Sequence, residues 1–328
     1  MKKVLVTGGA GFVGRHLVRE LLNRNWDVTI VDALVQGSGA ISPALGWPLF
    51  EPRDFGNFNF LERDCRNFFN ENKDTDFDYI FHLAALVGGR LTIENNPLSV
   101  ANDLAIDSEM WKWASLNKIS KVINFSSSAA YPVYIQKSTS SIVKLKEEMI
   151  SFDEKLGMPD LTYGWAKLTS EYLGLIAWQK YGIKNVVYRP FSGYGPDQDL
   201  SYPFPSICRR AIENQGKDEF IVWGSGHQSR DFIHIDDCIR GVMNTFELIN
   251  DGSALNLSTG IPTSFLEFAR IATNYLGYNP DVIGDESKPT GVNSRVGDTD
   301  KQSKFGFTAN IQFKAGVAET IEYFLKSK

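Results

Sequence analysis

The stretch Val4-Leu5-Val6-Thr7-Gly8-Gly9-Ala10-Gly11-Phe12-Val13-Gly14 decides the fold. A short apolar run stops at Gly8, and Leu17, Val18, Leu21 and Leu22 then recur at helical spacing. This is the pattern of strand, glycine turn and helix. Glycines at 8, 11 and 14 let the backbone turn tightly and approach a pyrophosphate, whose charge the N–H groups and dipole of the helix N-terminus stabilise. A second strand, Val28-Thr29-Ile30-Val31, closes on Asp32, 18 residues after Gly14, where an acid can bind a ribose 2′-hydroxyl. A dinucleotide is expected here, and because a carboxylate repels a 2′-phosphate, NAD is favoured over NADP. Asp64, after Phe60-Leu61-Glu62-Arg63, stands where an adenine contact can come, or is a solvated loop acid.

Working outward, Tyr79-Ile80-Phe81-His82-Leu83 and Val122-Ile123-Asn124-Phe125 read as buried strands on either side of a helix over Asn102–Leu116. Strands alternating with helices predict an α/β fold, a Rossmann-type doubly wound parallel sheet. Residues 36–59 carry Gly, Pro and Ser without a clear period and read as a flap over a site. Residues 136–150 read as an exposed excursion, and a helix is expected from about Tyr163 to Tyr181, followed by a strand at 185–188. Pro190, Pro196, Pro203 and Pro205 crowd into sixteen residues, where a smaller C-terminal α/β substrate lobe is expected to begin. The expected division is 1–188, rejoined by a segment near 232–258, and 189–328.

Composition excludes other classes. The 328 residues are 43% hydrophobic, enough to bury a full core, and 34 Lys+Arg against 39 Asp+Glu leave a net charge of −5. There is no basic field to hold nucleic acid, so an anionic ligand must be met by local donors. Cys65, Cys208 and Cys238 are odd in number and widely spaced, which predicts reduced thiols, no disulfide framework and no metal site. His82, His227 and His234 lack ligand spacing and read as structural or sugar-adjacent. The N-terminal apolar run is too short for a signal peptide, and no run reaches the roughly 18 residues of a membrane span. A soluble, cytoplasmic protein is expected.

Tyr163-Gly164-Trp165-Ala166-Lys167 sets a phenol and an ammonium four residues apart, on one helix face and within roughly 6 Å. Bringing a Tyr pKa from about 10 towards 7 takes about 4 kcal/mol of differential stabilisation. A neighbouring ammonium and a nicotinamide cation act in that direction. Such a tyrosinate can take the proton of a sugar hydroxyl as hydride leaves. Ser126-Ser127-Ser128 ends the strand at 122–125, on the side where ligands bind in such sheets.

On these residues the sequence resembles the extended short-chain dehydrogenase/reductases that modify nucleotide sugars. The resemblance covers residues 7–14, His82-Leu83-Ala84-Ala85, the run 126–132, Tyr163 with Lys167, Arg189-Pro190-Phe191, Gly193-Tyr194-Gly195-Pro196, Trp223-Gly224-Ser225-Gly226 and Arg230-Asp231-Phe232. Leu86-Val87-Gly88-Gly89, Tyr131-Pro132 and the Trp223 run look most like the branch of GDP-mannose 3,5-epimerases and GDP-fucose synthases, which implies a GDP-sugar. The resemblance implies a Ser127/Tyr163/Lys167 triad. It further implies NAD contacts from Gly8, Gly11, Phe12, Val13, Gly14, Asp32, Asp64, Cys65, Leu83, Ala84, Ala85, Tyr163, Lys167 and Pro190. Substrate contacts are implied for Val87, Gly88, Ser127, Ser128, Ser192, Arg230 and Arg295, the two arginines meeting the diphosphate. It also implies a homodimer through the Tyr163 helix and the helix of Trp111 and Trp113.

The departures from that pattern narrow the chemistry. Ser128 and Ala129 occupy the two positions that carry the acid and base of 4,6-dehydratases, and Ala129 stands where the 3,5-epimerases and fucose synthases have a cysteine. Residues 201–205, ahead of Cys208-Arg209, hold no Lys or His to act as the second acid/base of that branch, and Ser192 replaces a substrate-binding Asn. Reversible oxidation at one sugar hydroxyl, C4, remains. A 4-epimerase or a 4-dehydrogenase in surface-polysaccharide sugar biosynthesis is expected. The alternatives are a 3,5-epimerase or 4,6-dehydratase, and a non-catalytic NAD-sensing protein.

Overall fold

The computed structural model describes every residue except Asp74, 87–89, Thr139, Glu154, Pro289 and 327–328, together with all side chains other than those of 90–92. The chain forms two compact units. Unit 1 comprises Met1–Ala130, Pro159–Arg189 and Ile239–Leu255, and unit 2 comprises Tyr131–Met158, Pro190–Cys238 and Asn256–Lys328. The division expected from the sequence is 1–188 rejoined near 232–258; in the structure the rejoining segment is Ile239–Leu255, and Tyr131–Met158 clusters with unit 2 instead.

Unit 1 is built on a seven-stranded sheet: β1 (Lys3–Thr7), β2 (Asp27–Asp32), β3 (Phe58–Glu62), β4 (Tyr79–His82), β5 (Lys121–Phe125), β6 (Asn185–Pro190) and β7 (Asp251–Leu257). Their order is β7-β6-β5-β4-β1-β2-β3, with β3, β2, β1, β4, β5 and β6 running parallel. The near-continuous apolar strands follow from burial on both faces: Val4, Leu5, Val6, Ile80, Val122, Ile123, Val186 and Val187 have no exposed surface. The winding reverses between β1 and β4, which sets the crevice beyond their C-terminal ends. Helix α1 (Phe12–Asn23) follows β1, α2 (Cys65–Glu71) follows β3, α3 (Asn102–Leu116) precedes β5, and α4 (Leu161–Tyr181) precedes β6.

The stretch expected to be a flap ends in β3, an edge strand that alternates half-buried Phe58 and Phe60 with exposed Asn59 and Leu61. Upstream of it, Trp47 meets Phe50 and Phe58 edge to face at 5.3 and 5.8 Å. The Trp47 indole donates to the Ile41 carbonyl, and the Ile41 N–H donates to the Ala10 carbonyl at 3.0 Å, which fastens this segment to the glycine turn.

Unit 2 packs an aromatic core in which Phe204 stacks on Tyr194 at 4.1 Å and on Phe268 at 5.0 Å. Its four-stranded sheet orders Pro262–Ser264, Ser229–Asp231, Ser294–Gly297 and Lys144–Leu145. The fully buried Asp231 carboxylate accepts from the Ser258 hydroxyl and from the N–H groups of Thr259 and Gly260, both at 2.9 Å. Residues 136–150 therefore are not wholly an exposed excursion. Leu145, on the edge strand of this sheet, has no exposed surface, and Glu147 accepts the Asn256 N–H at 2.8 Å. Polar composition concealed this, because each buried polar group there has a partner outside the segment.

Candidate active site and cofactor cradle

The glycine turn closes through contacts that a side chain would abolish. Gly8 lies in the left-handed region at φ 73°, and a Cβ there would stand 2.7 Å from the Ala84 nitrogen, so β1 and the end of β4 meet only with glycine at this position. A Cβ on Gly14 would come within 2.4 Å of the Gly8 carbonyl oxygen, which locks the first turn of α1 against the turn. That first turn, Phe12-Val13-Gly14, has neither a side-chain cap nor an acid. Its N–H groups fit an anion. At the end of β2, Asp32 accepts the Ala10 N–H at 3.0 Å and the Leu34 N–H at 2.9 Å, which aims the carboxylate across the turn. Burial pushes the Asp32 carboxyl up, while those two N–H groups and Arg15 pull it down. Leu83, Ala84 and Ala85 follow β4, with the Leu83 N–H donating to the Thr7 carbonyl at 3.0 Å.

Asp64 caps α2 by accepting the Arg66 N–H at 2.9 Å and pairs with the Arg66 guanidinium at 2.6 Å, which holds its carboxyl below the usual range. Cys65 is buried, and burial pushes its thiol up to about 12.

The turn after β5 and the start of α4 bring Ser127 and Tyr163 into one neighbourhood. The Ser127 hydroxyl accepts the Ala129 N–H at 3.1 Å, opening the tight turn Ser128–Ala130. The Ala129 carbonyl accepts the Asp160 N–H at 2.9 Å, and a Cβ on Gly164 would lie 2.4 Å from that same carbonyl oxygen. Glycine next to Tyr163 is therefore what lets α4 start against this turn. Lys167 follows one helical turn later, with Nζ 5.8 Å from the centre of the Tyr163 ring. Lys167 is buried: burial by itself pushes its ammonium down, but Asp107, Tyr163 and Asp103 hold it above its ordinary value. Ser128 and Ala129 are buried beside Ser127, and neither ionises in the working range.

In unit 2, Arg230 and Arg295 stand opposite one another on paired parallel strands. Arg295 donates from Nε to Gln136 at 2.7 Å, and Arg230 donates to the carbonyls of Ser229 at 2.7 Å and Thr290 at 3.2 Å. Ser192 and Pro190 are half-buried in the same unit. Val87 and Gly88 lie outside the described residues. Trp111 and Trp113 do not face outward from α3: both are core residues, and Trp113 packs 5.1 Å from Phe69. The sequence reading passed over a cluster that joins β1, β4 and α3. His82 on β4 bridges the Thr7 hydroxyl at 2.8 Å and Asp107 at 2.9 Å, with Asp103 buried one turn away from Asp107. The available signal was two aspartates at i, i+4, Asp103 and Asp107, on the helix Asn102–Leu116, which also carries Ile106, Met110 and Trp113.

A doubly wound sheet with a glycine cradle at its switch point and a Tyr/Lys pair beyond β5 defines a dinucleotide-dependent enzyme acting on a bound small molecule. The chain belongs to the NAD dependent epimerase/dehydratase family, which it matches over residues 4–257, and its cofactor is NAD. It is 25% identical to GDP-L-fucose synthase of Escherichia coli over 100% of this chain and 98% of that one. It is 26% identical to a putative UDP-glucose 4-epimerase of Methanocaldococcus jannaschii over 98% and 97%. The solved UDP-glucuronic acid 4-epimerase of Bacillus cereus, in complex with UDP-glucuronic acid and NAD, shares the fold at a TM-score of 0.81 and 24% identity, covering 99% of this chain and 100% of that one.

Proposed function

We propose that the protein is an NAD-dependent oxidoreductase of nucleotide sugars that oxidises C4, as a 4-epimerase or a 4-dehydrogenase, in the cytoplasmic synthesis of sugars for surface polysaccharides. The observation that carries this is Tyr163 with Lys167 one turn behind it, beside a Ser127 turn whose next two side chains, Ser128 and Ala129, offer no acid or base. In this reading Gly8, Gly11, Phe12, Val13 and Gly14 hold the pyrophosphate and Asp32 the adenosine ribose. Asp64, Cys65, Leu83, Ala84, Ala85 and Pro190 complete the cofactor contacts. Bound NAD supplies the acceptor for a hydride from the sugar carbon. Ser127 and Tyr163 orient the sugar hydroxyl, and Tyr163 takes its proton while the Lys167 ammonium stabilises the phenolate. Without a group to exchange a proton beside the ketone, dehydration and 3,5-epimerisation have no agent among these residues. Ser128, Ser192, Arg230 and Arg295, with Val87 and Gly88, contact the nucleotide sugar, the arginine pair meeting the diphosphate.

GDP is the favoured base, supported by the GDP-L-fucose and GDP-L-colitose synthases among the relatives. A homodimer is supported by Trp165, Tyr172 and Trp178, which α4 leaves more than a third exposed. No helix among the described residues is long and apolar enough to cross a membrane.

The test is incubation of the protein and NAD with GDP-, UDP-, CDP- and dTDP-sugars, reading NADH absorbance and resolving products. Lasting NADH marks a dehydrogenase, and a stereoisomer without net NADH marks an epimerase. Loss of water, seen by mass, overturns the reading of Ser128 and Ala129. Tyr163→Phe is expected to lower turnover by about 10²- to 10⁴-fold. Turnover equal to the parent's overturns the assignment of Tyr163.

A further inference from the structure

Gln136 is a buried polar side chain that the chemistry above does not use. It opens the stretch 136–150, whose composition reads as exposed, yet only 2% of its own surface is exposed. Its amide is held within unit 2. Nε2 donates to the carbonyls of Tyr131 at 3.2 Å and Pro132 at 3.1 Å, and Oε1 accepts from Arg295 Nε at 2.7 Å. Both directions are forced: carbonyls only accept and a guanidinium only donates, so the amide oxygen has to face the arginine. The frame behind the amide is itself fixed. Tyr131 has no exposed surface, its phenol donates to Asn256 Oδ1 at 2.7 Å, and Asn256 Nδ2 donates to the Leu145 carbonyl at 2.8 Å. The Asn293 side chain donates to the Ser138 carbonyl at 2.5 Å, and Val296 and Gly297 pair with Lys144 and Leu145. Residues 131–158 thus grip the strand of Arg295 on both sides of that residue.

We infer that Gln136 is a positioning residue for Arg295: it aims the guanidinium at the substrate's diphosphate and so sets the affinity for that group. The inference rests on the proposed function in taking Arg295 and Arg230 as the diphosphate contacts. A guanidinium is planar, so holding Nε fixes the direction of both Nη groups. Arg295 needs that restraint because Arg230 stands opposite it on the neighbouring strand, and two like charges side by side repel. Arg230 is held in its turn by the Ser229 and Thr290 carbonyls at 2.7 and 3.2 Å, and lies 5.8 Å from the centre of the Phe265 ring. Each of these holding groups is neutral. A carboxylate at 136 would also accept from Arg295, but it would cancel the charge that a diphosphate needs and withdraw the donor from the Tyr131 and Pro132 carbonyls. Glutamine orients the arginine without neutralising it.

The test is calorimetric titration of the NAD-loaded protein with GDP and UDP, and with GMP and UMP. Gln136→Met is expected to weaken the better-bound diphosphate about tenfold and its monophosphate by about twofold at most. Gln136→Glu should weaken the diphosphate further still, because it sets a negative charge beside it. A merely structural role would act equally with or without Arg295. In the Arg295→Met background, Gln136→Met is therefore expected to cost nothing more, so that the double variant binds like Arg295→Met. Losses that multiply, or a Gln136→Met protein that binds the diphosphate as the parent does, overturn the inference.

A second measurement needs no altered residue at 136. In the parent without nucleotide, the Arg295 Nε–H signal, identified in NMR spectra by its loss in Arg295→Lys, should exchange with solvent at least about tenfold more slowly than that of free arginine. Exchange at the free rate overturns the inference even where the Gln136 variants fail to fold. If Arg295→Met binds the diphosphates as the parent does, or if neither diphosphate binds the parent, the proposed role of Arg295 fails and the inference with it. If Arg295→Met weakens them and Gln136→Met does not, the inference alone fails.

Discussion

Ionising Asp103 inside unit 1 has a cost that folding must carry. In the unfolded chain the carboxyl releases its proton near 3.8, and in the folded protein it holds it to about 7. Between those values the folded state binds the extra proton, so this group's contribution to stability falls as pH rises, by about 4 kcal/mol in all. The melting temperature of the parent is therefore expected to drop more steeply from pH 5 to pH 8 than that of Asp103→Asn. Parallel curves would remove Asp103 from the pH dependence. Sequence reasoning missed this residue because an aspartate on a helix is ordinarily solvated. Its burial depends on α4, which enters the chain some sixty residues later. The glycines of the cradle were legible for the opposite reason. Gly8 and Gly14 are required by contacts made within the turn and with the adjoining strand end, and their spacing records that local geometry.

At the scale of elements, α4 is the part on which most of the candidate chemistry depends. It starts with Leu161 in the left-handed region at φ 55°, approaches the Ser127 turn through Gly164, meets Trp111 at Gly174 and ends on Gly182 at φ 68°. Its span, Leu161–Tyr181, lies within two residues of the sequence expectation, because a terminal glycine and an apolar period are local signals. A buried ion pair ties it to the sheet: Glu171 accepts from Arg189 Nε at 3.0 Å and Nη2 at 2.6 Å, and also from the Ser126 hydroxyl. With both partners 2–3% exposed, removing one strands the other's charge in the interior. Glu171→Ala is expected to lower unfolding free energy by about 3–5 kcal/mol, read from the denaturant midpoint. A change within about 0.5 kcal/mol, typical of surface sites, would show that Arg189 finds water or another partner.

For the whole molecule, the chain crosses between the two compact units repeatedly, and each unit is assembled from three segments. The exposed aromatic face of α4 leads to the prediction of a homodimer. Sedimentation at micromolar concentration should show a species of twice 36.7 kDa, and Tyr172→Glu should shift it towards the monomer. A parent that sediments as a monomer overturns the dimer. Burial of Trp111 and Trp113 in the core redirects that interface to the outward residues of α4, since large aromatics on one helix look alike in sequence whether they face a core or a partner.

By itself the sequence determined the doubly wound sheet, the glycine cradle with Asp32, and the Tyr163/Lys167 pair. Each is written in short-range periodicity, turn chemistry or i, i+4 spacing, where a few neighbouring residues suffice to set the backbone. Tertiary structure alone decided that residues 131–158 join unit 2, that Phe58–Glu62 is an edge strand, and that Asp103 and Asp107 are buried. Those outcomes depend on partners distant in the chain. Burial and long-range pairing, rather than any local propensity, select them.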